Sequence, residues 1–211
     1  YDRPDVASAH QFGVEPELVY FQAAAPIATA LAAGAVEVGA TGLTAALYNI
    51  VLQGEKLWIV ADKGREWAGF PLVGIVVQRE LWDSGKVRSI KDLKGRTITT
   101  MAYQDTTFFA LQGMLASAGL TKADVDAQAA GPAGVWQLFA AGKADAMAAV
   151  PDWIVSATQA GAKVKVFSSD EYFKSMAQAI LVSDETIQKR PELVKKLVRA
   201  TLKGMQDIMK D

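Results

Sequence analysis

Five short stretches carry side chains able to hold a small molecule, and none carries an obvious reacting group. Thr41-Gly42 stands between an apolar run at 36–40 and a helical stretch from 43. Free backbone N–H groups and a hydroxyl at a helix start favour a carboxylate, a sulfonate or another anion; plain capping by Thr41 needs no ligand. Gln104-Asp-Thr-Thr107 occupies the same kind of joint further on, with Asp105 or Thr106 as N-cap of a helix from 107. Asp105 would also repel an anion bound close by, which leaves room for a ligand bearing an amine or another donor. Gly131-Pro-Ala133 offers close backbone approach or a simple turn. In Pro151-Asp-Trp153, Trp153 suits stacking on a planar ligand or packing in the core, and Asp152 suits accepting a hydrogen bond or a first-turn charge. The charged run Asp62-Lys-Gly-Arg-Glu-Trp67 gives Lys63 or Arg65 to pair with an anion and Trp67 to wall a pocket; otherwise it is a solvated loop with weak ion pairs of ~0–1 kcal/mol each.

Much chemistry is excluded. The 211 residues include no Cys and one His, His10, which reads as a surface or structural residue. Disulfides, thiolate zinc sites, iron–sulfur clusters and Cys nucleophiles are out, as is a two-His metal site within one chain. No Gly-x-Ser-x-Gly elbow and no P-loop occurs. With 22 Lys+Arg against 23 Asp+Glu, the net charge of −1 lacks the broad attraction to phosphate backbones that nucleic-acid binding draws on. Apolar residues at 51% and charged residues at 21% give an ordinary globular balance with material for a core. No run of about 18 apolar residues suggests a membrane span. The chain opens on Tyr1 without a visible signal segment, and upstream sequence is expected to be missing.

The elements that must position these residues follow from apolar rhythm. Strands are expected at 18–21, 36–40, 57–61 and 72–77, with helices at 26–33 and 43–53. A second series has a capping box at Ser89-Ile-Lys-Asp92, strands at 97–101, 125–129, 144–150 and 164–167, and helices at 107–118, 134–141 and 151–160. A strand at 179–182 and an amphipathic helix at 191–209 close the chain. Tyr48, Phe108, Phe109 and Phe139 fall on apolar helix positions and are expected in the core. Strands alternating with helices predict an α/β fold with largely parallel sheets, since parallel neighbours need crossovers. The polar stretch 78–88 joins the two series, and the chain returns to the first near 179. Lobe one therefore spans 1–77 and 179–211, lobe two spans 78–178, and two crossings imply a hinge and a cleft, with ligand loops at the carboxyl ends of the strands.

Three ordered segments carry a family resemblance: residues 19–42, Ser89-Ile-Lys-Asp-Leu-Lys-Gly-Arg-Thr-Ile98, and residues 131–149 with Trp136-Gln-Leu-Phe-Ala-Ala-Gly-Lys-Ala-Asp-Ala146 before Pro151-Asp-Trp153. Together they resemble the type II periplasmic solute-binding proteins of ABC importers, nearest the nitrate-, sulfonate- and taurine-binding and thiamine-pyrimidine-precursor-binding subgroup. The likeness runs from about residue 13 to 211; the family's first strand and its ligand loop are not recognisable. It implies a two-lobed type II fold, each lobe a mainly parallel sheet flanked by helices. It also implies a small polar, anionic or aromatic ligand, an ABC permease as membrane partner, no cofactor, no metal and no catalysis. A monomer and a periplasmic or lipid-anchored extracytoplasmic location are expected. Similar proteins often carry Gly-Ser/Thr at the joint where this chain has Gln104 and Asp105. The residues expected at the ligand are Gln22, Thr41, Gly42, Trp67, Gln104, Asp105, Thr106, Thr107, Gly131, Asp152 and Trp153. Two alternatives use the same fold: the ligand-sensing domain of a regulator, and an enzyme of pyrimidine-precursor synthesis, whose Cys-rich iron motif this chain lacks.

Overall fold

The computed structural model describes residues 9–21, 24–69, 71–208 and 210. They form two compact units, one up to Lys63 and again from Gln178, the other from Gly64 to Ala177.

In the first unit, helix α1 (Ala24–Ala32), strand β1 (Val38–Gly42), helix α2 (Ala45–Leu52) and strand β2 (Leu57–Glu66) follow one another, and β2 runs on across the boundary. Strand β8 (Ser175–Ser183) brings the chain back, and α7 (Asp184–Lys189) and α8 (Pro191–Ile208) end it. The sheet order is β1-β8-β2, with β1 antiparallel to β8 and Thr41 opposite Ala179. Ala28, Leu31, Leu43, Leu47, Ala179 and Leu181 form the core, where α1 and α2 cover the sheet. The close approach of α1 to β1 dictates Gly39, because a Cβ there would lie 2.4 Å from Leu31 Cδ1 and 2.9 Å from Ile27 Cγ2.

The second unit holds β3 (Gly74–Gln78), α3 (Arg79–Asp83), β4 (Thr97–Thr100), α4 (Thr106–Ser117), β5 (Asp126–Ala129), α5 (Gly131–Ala140), β6 (Ala146–Ala149), α6 (Pro151–Gln159) and β7 (Val164–Ser168). Its five strands lie in the order β5-β4-β6-β3-β7. Period-two alternation splits the core onto two faces. Ile75, Val77 and Ile98 meet Phe108, Leu111, Met114 and Leu115 of α4, while Val76 and Met147 meet Val135, Phe139 and Ala157 of α5 and α6. The expected capping box closes reciprocally between Ser89 and Asp92, and a second one forms between Thr121 and Asp124. Gly119 ends α4 at φ 73°, and the Leu120 N–H donates to the Leu115 carbonyl at 2.9 Å, which closes the last turn.

The α/β class follows the sequence, but several expectations need correction. The five-stranded sheet is mixed, with β4 parallel to β5 and β6 and β3 antiparallel to β6 and β7, and in the three-stranded sheet β1 is antiparallel to β8. Parallel pairing is confined to strands that α4 and α5 link as crossovers; β3 enters between β6 and β7 with no crossover to either. That insertion also moves 72–77 out of the first lobe, so the division at 77/78 gives way to one at 63/64. Residues 18–21 form no strand; Leu18, Val19 and Tyr20 are exposed and no strand of the first unit pairs with them. Tyr48 and Phe109 are largely exposed rather than core, whereas Phe108 and Phe139 are buried as expected.

Candidate functional site

The sheet of the second unit brings most of the expected residues to one edge. Parallel register aligns Thr100 with Ala129 and Thr99 with Met147, so β4, β5 and β6 all point their carboxyl ends the same way. Gln104 to Thr107 follow β4, Gly131 follows β5, and Asp152 and Trp153 follow β6. Antiparallel β3 begins at this edge, with Gly74 opposite both Ala149 and Ser168. Leu72 and Ser169 therefore lie there too, and both hold Glu66, next to Trp67.

The joint after β4 is the most ordered part. Asp105 is the N-cap of α4, and the Phe108 N–H donates to its Oδ1 at 2.9 Å. The Thr107 hydroxyl donates to the same carboxylate, 2.8 Å from Oδ2. Thr107 Oγ1 in turn lies 3.0 Å from the Thr100 hydroxyl, so Thr100, Thr107 and Asp105 form a chain of donors ending on a carboxylate. Asp105 is 6% exposed. Burial pushes its carboxyl above the ordinary 3.8, and the bonds from Phe108 and Thr107 act against that rise. Gln104 is exposed, Thr106 partly so, and Tyr103 lies edge-on to Phe108 with its hydroxyl donating to the Ala127 carbonyl.

The other loops are plainer. Gly131 has φ 68°, a conformation that favours glycine, and its N–H donates to the Met101 carbonyl, tying the loop after β5 to the loop after β4. Pro151 starts α6, Asp152 is exposed in its first turn, and Trp153 packs one side against the Val135 and Phe139 cluster.

The solvated loop expected around Glu66 is overturned by the structure. The charged run is the end of β2, and Glu66 is 1% exposed. Its Oε2 accepts from the Leu72 N–H at 2.9 Å and the Ser169 hydroxyl at 2.6 Å, while Oε1 has no hydrogen-bond partner. Nothing in the local pattern separates this glutamate from its exposed neighbours; only the return of β7 at Ser169 encloses it. Trp67 is half exposed, with the Arg65 guanidinium 4.8 Å and the Lys174 ammonium 5.5 Å from its ring centre.

In the first unit, Thr41 and Gly42 are buried at the end of β1, opposite Ala179 and Gln178. Thr41 is a strand residue and caps nothing. The N-cap of α2 is Thr44, a residue the sequence reading passed over because it started the helix at 43. Thr44 makes no side-chain cap bond, and neither the Thr41 nor the Thr44 hydroxyl has a partner, although the two residues are 4% and 1% exposed. Two buried hydroxyls without partners three positions apart in the chain are unusual, since each costs about 1–3 kcal/mol. Gln22 lies outside the described residues. Among the described residues no group of three or more His, Asp or Glu could hold a metal ion, and no helix is long and apolar enough to cross a membrane.

Comparison with known proteins places this architecture. The riboflavin-binding protein RibY of Chloroflexus aurantiacus is 31% identical over 121 residues, 57% of this chain. The chain spans about a third (34%) of that relative's length. Among solved structures, the periplasmic aliphatic sulphonate binding protein SsuA of Escherichia coli superposes with a TM-score of 0.74 at 19% identity, over 96% of this chain and 70% of that one. The alkanesulfonate-binding protein SsuA of Xanthomonas axonopodis pv. citri, bound to MOPS, gives 0.64 at 21% identity, over 93% of this chain and 70% of that one. Both share the two-unit α/β fold with this chain. The family model described as NMT1/THI5 like matches residues 13–211, and the chain belongs to that family.

Proposed function

We propose that this chain belongs to the solute-binding component of an ABC-type importer, capturing a small solute outside the cytoplasm and handing it to a membrane permease without altering it. The observation that carries this is the gathering of Gln104 to Thr107, Gly131, Asp152, Trp153 and Trp67 at one edge of the second unit's sheet. Backbone turns, hydroxyls, carboxylates and indoles meet there, which is equipment for recognition. Within the first unit, Thr41, Gly42 and Thr44 are candidate recognition residues in their own right, since the two threonine hydroxyls are buried without partners. Differential contacts to the solute then favour the ligand-bound conformation, which is what a permease reads.

The solute class is a small planar polar molecule. Trp67 and Trp153 offer faces for stacking, and one protein similar to part of this chain is a riboflavin-binding protein. A sulfonate is the second reading, supported by the sulfonate-binding proteins that share the fold. Thermal-shift measurements against riboflavin, pyrimidines, aromatic carboxylates, taurine, nitrate and alkanesulfonates test both, because a ligand bound only by the native state raises the melting temperature. A shift with riboflavin or a pyrimidine, with the solute recovered unchanged, supports the first reading. A shift with sulfonates alone supports the second. Conversion of the bound solute contradicts capture without chemistry.

A further inference from the structure

The amino end of a helix attracts anions because its first N–H groups have no partner within the helix. At α4 that attraction is already met from within. Asp105 places its own carboxylate on the Phe108 N–H and takes the Thr107 hydroxyl as well. Its two oxygens are thereby occupied, Oδ1 by the Phe108 N–H at 2.9 Å and Oδ2 by the Thr107 hydroxyl at 2.8 Å. A second anion at this helix end would meet a buried like charge, where screening by water is weak.

The rest of the same edge leans the same way. Glu66 Oε1 is a buried acceptor with no donor. Asp152 is exposed in the first turn of α6, and Asp170 takes the Gly69 N–H at 2.6 Å. The cations there, Arg65 and Lys174, lie against the face of Trp67.

We infer that Asp105 is a specificity-determining residue, an internal anion that closes the α4 end to sulfonate, carboxylate and phosphate groups and reserves this edge for uncharged or cationic solutes that donate hydrogen bonds. This rests on the solute-capture reading above and fixes the chemical class of the solute that this edge accepts.

Calorimetric titration with ethanesulfonate tests it on the wild type, Asp105→Ser and Asp105→Asn. Serine is itself a good N-cap, so α4 is kept while the charge is lost. Asparagine keeps the shape and a cap acceptor, and supplies the comparison should the serine variant not fold. The wild type is expected to show no saturable binding at millimolar ethanesulfonate, and the variants are expected to bind it at least about tenfold more tightly, Asp105→Ser more so than Asp105→Asn. A wild type that binds ethanesulfonate as well as Asp105→Ser overturns the inference yet leaves solute capture standing. Folded variants that gain nothing overturn it too. Solute capture fails on a different result, the absence of any stabilising solute, and a gain in Asp105→Ser would still identify Asp105 as the group that shuts out anions.

Discussion

Asp105 does two opposed things. As N-cap it satisfies the Phe108 N–H, and replacing it with Ala should cost about 1 kcal/mol, read as a lower urea midpoint at unchanged slope. As a buried charge it carries a carboxyl held above the ordinary 3.8 by desolvation. The folded state therefore keeps this proton to higher pH than the unfolded chain does. Its contribution is fully present below 3.8 and is lost as pH rises through the folded value. The stability of Asp105→Asn relative to wild type should accordingly rise between pH 3 and pH 7 (about the range in which carboxylates titrate). Urea unfolding at several pH values checks this; a difference that falls with pH would contradict it. Two capping-box acids move the other way. Asp92 is held low first by the Arg88 N–H and then by Ser89, and Asp124 by the Thr121 N–H and hydroxyl. Their contribution is present above the unfolded value and fades as acid brings the pH through the folded one. The Ser89–Asp92 capping box was legible from four letters, because a capping box is a local device. Glu66 was not, because its surroundings come from Leu72 and from Ser169, far along the chain.

Among the elements, strands and helices followed the apolar rhythm wherever a neighbour exists to reward it. The run at 18–21 has the composition of a strand, but composition is no partner, and the segment stays exposed. The run at 72–77 has both, and its register places Gly74 to Val77 between β6 and β7. Sheet order is a long-range property, so the sequence pattern could show that this strand exists without showing which unit owns it. Two substitutions probe how the elements are held. Gly39→Ala forces a methyl against the Leu31 and Ile27 side chains of α1. It should destabilise the first unit by about 1–3 kcal/mol, seen as a lower thermal midpoint. Glu66→Ala leaves the Leu72 N–H without its acceptor at the end of β2 and leaves the Ser169 hydroxyl only the Val73 carbonyl, which it also reaches, and should cost about 1–3 kcal/mol. An unchanged melting curve for Glu66→Ala would mean that water or Val73 replaces the carboxylate without penalty.

For the whole molecule, the three ordered segments of the sequence pointed to the family, and the family model covers residues 13–211. They pointed less sharply to the solute, because the contact residues come from several loops that each allow a bland local role. The structure resolves some of those roles: Thr41 caps nothing, Asp105 does cap, and Trp153 is partly core. What unites the rest is parallel register, which no single loop displays. The measurement that tests capture most directly is a melting-temperature screen of the wild-type chain across uncharged heteroaromatics, amines and alkanesulfonates, with mass spectrometry of the recovered solute. An uncharged or amine-bearing solute at about a hundred times its Kd should raise the midpoint by about 5 °C or more and come back chemically unchanged. A flat response across the screen, or a solute returned as a different compound, would contradict the account.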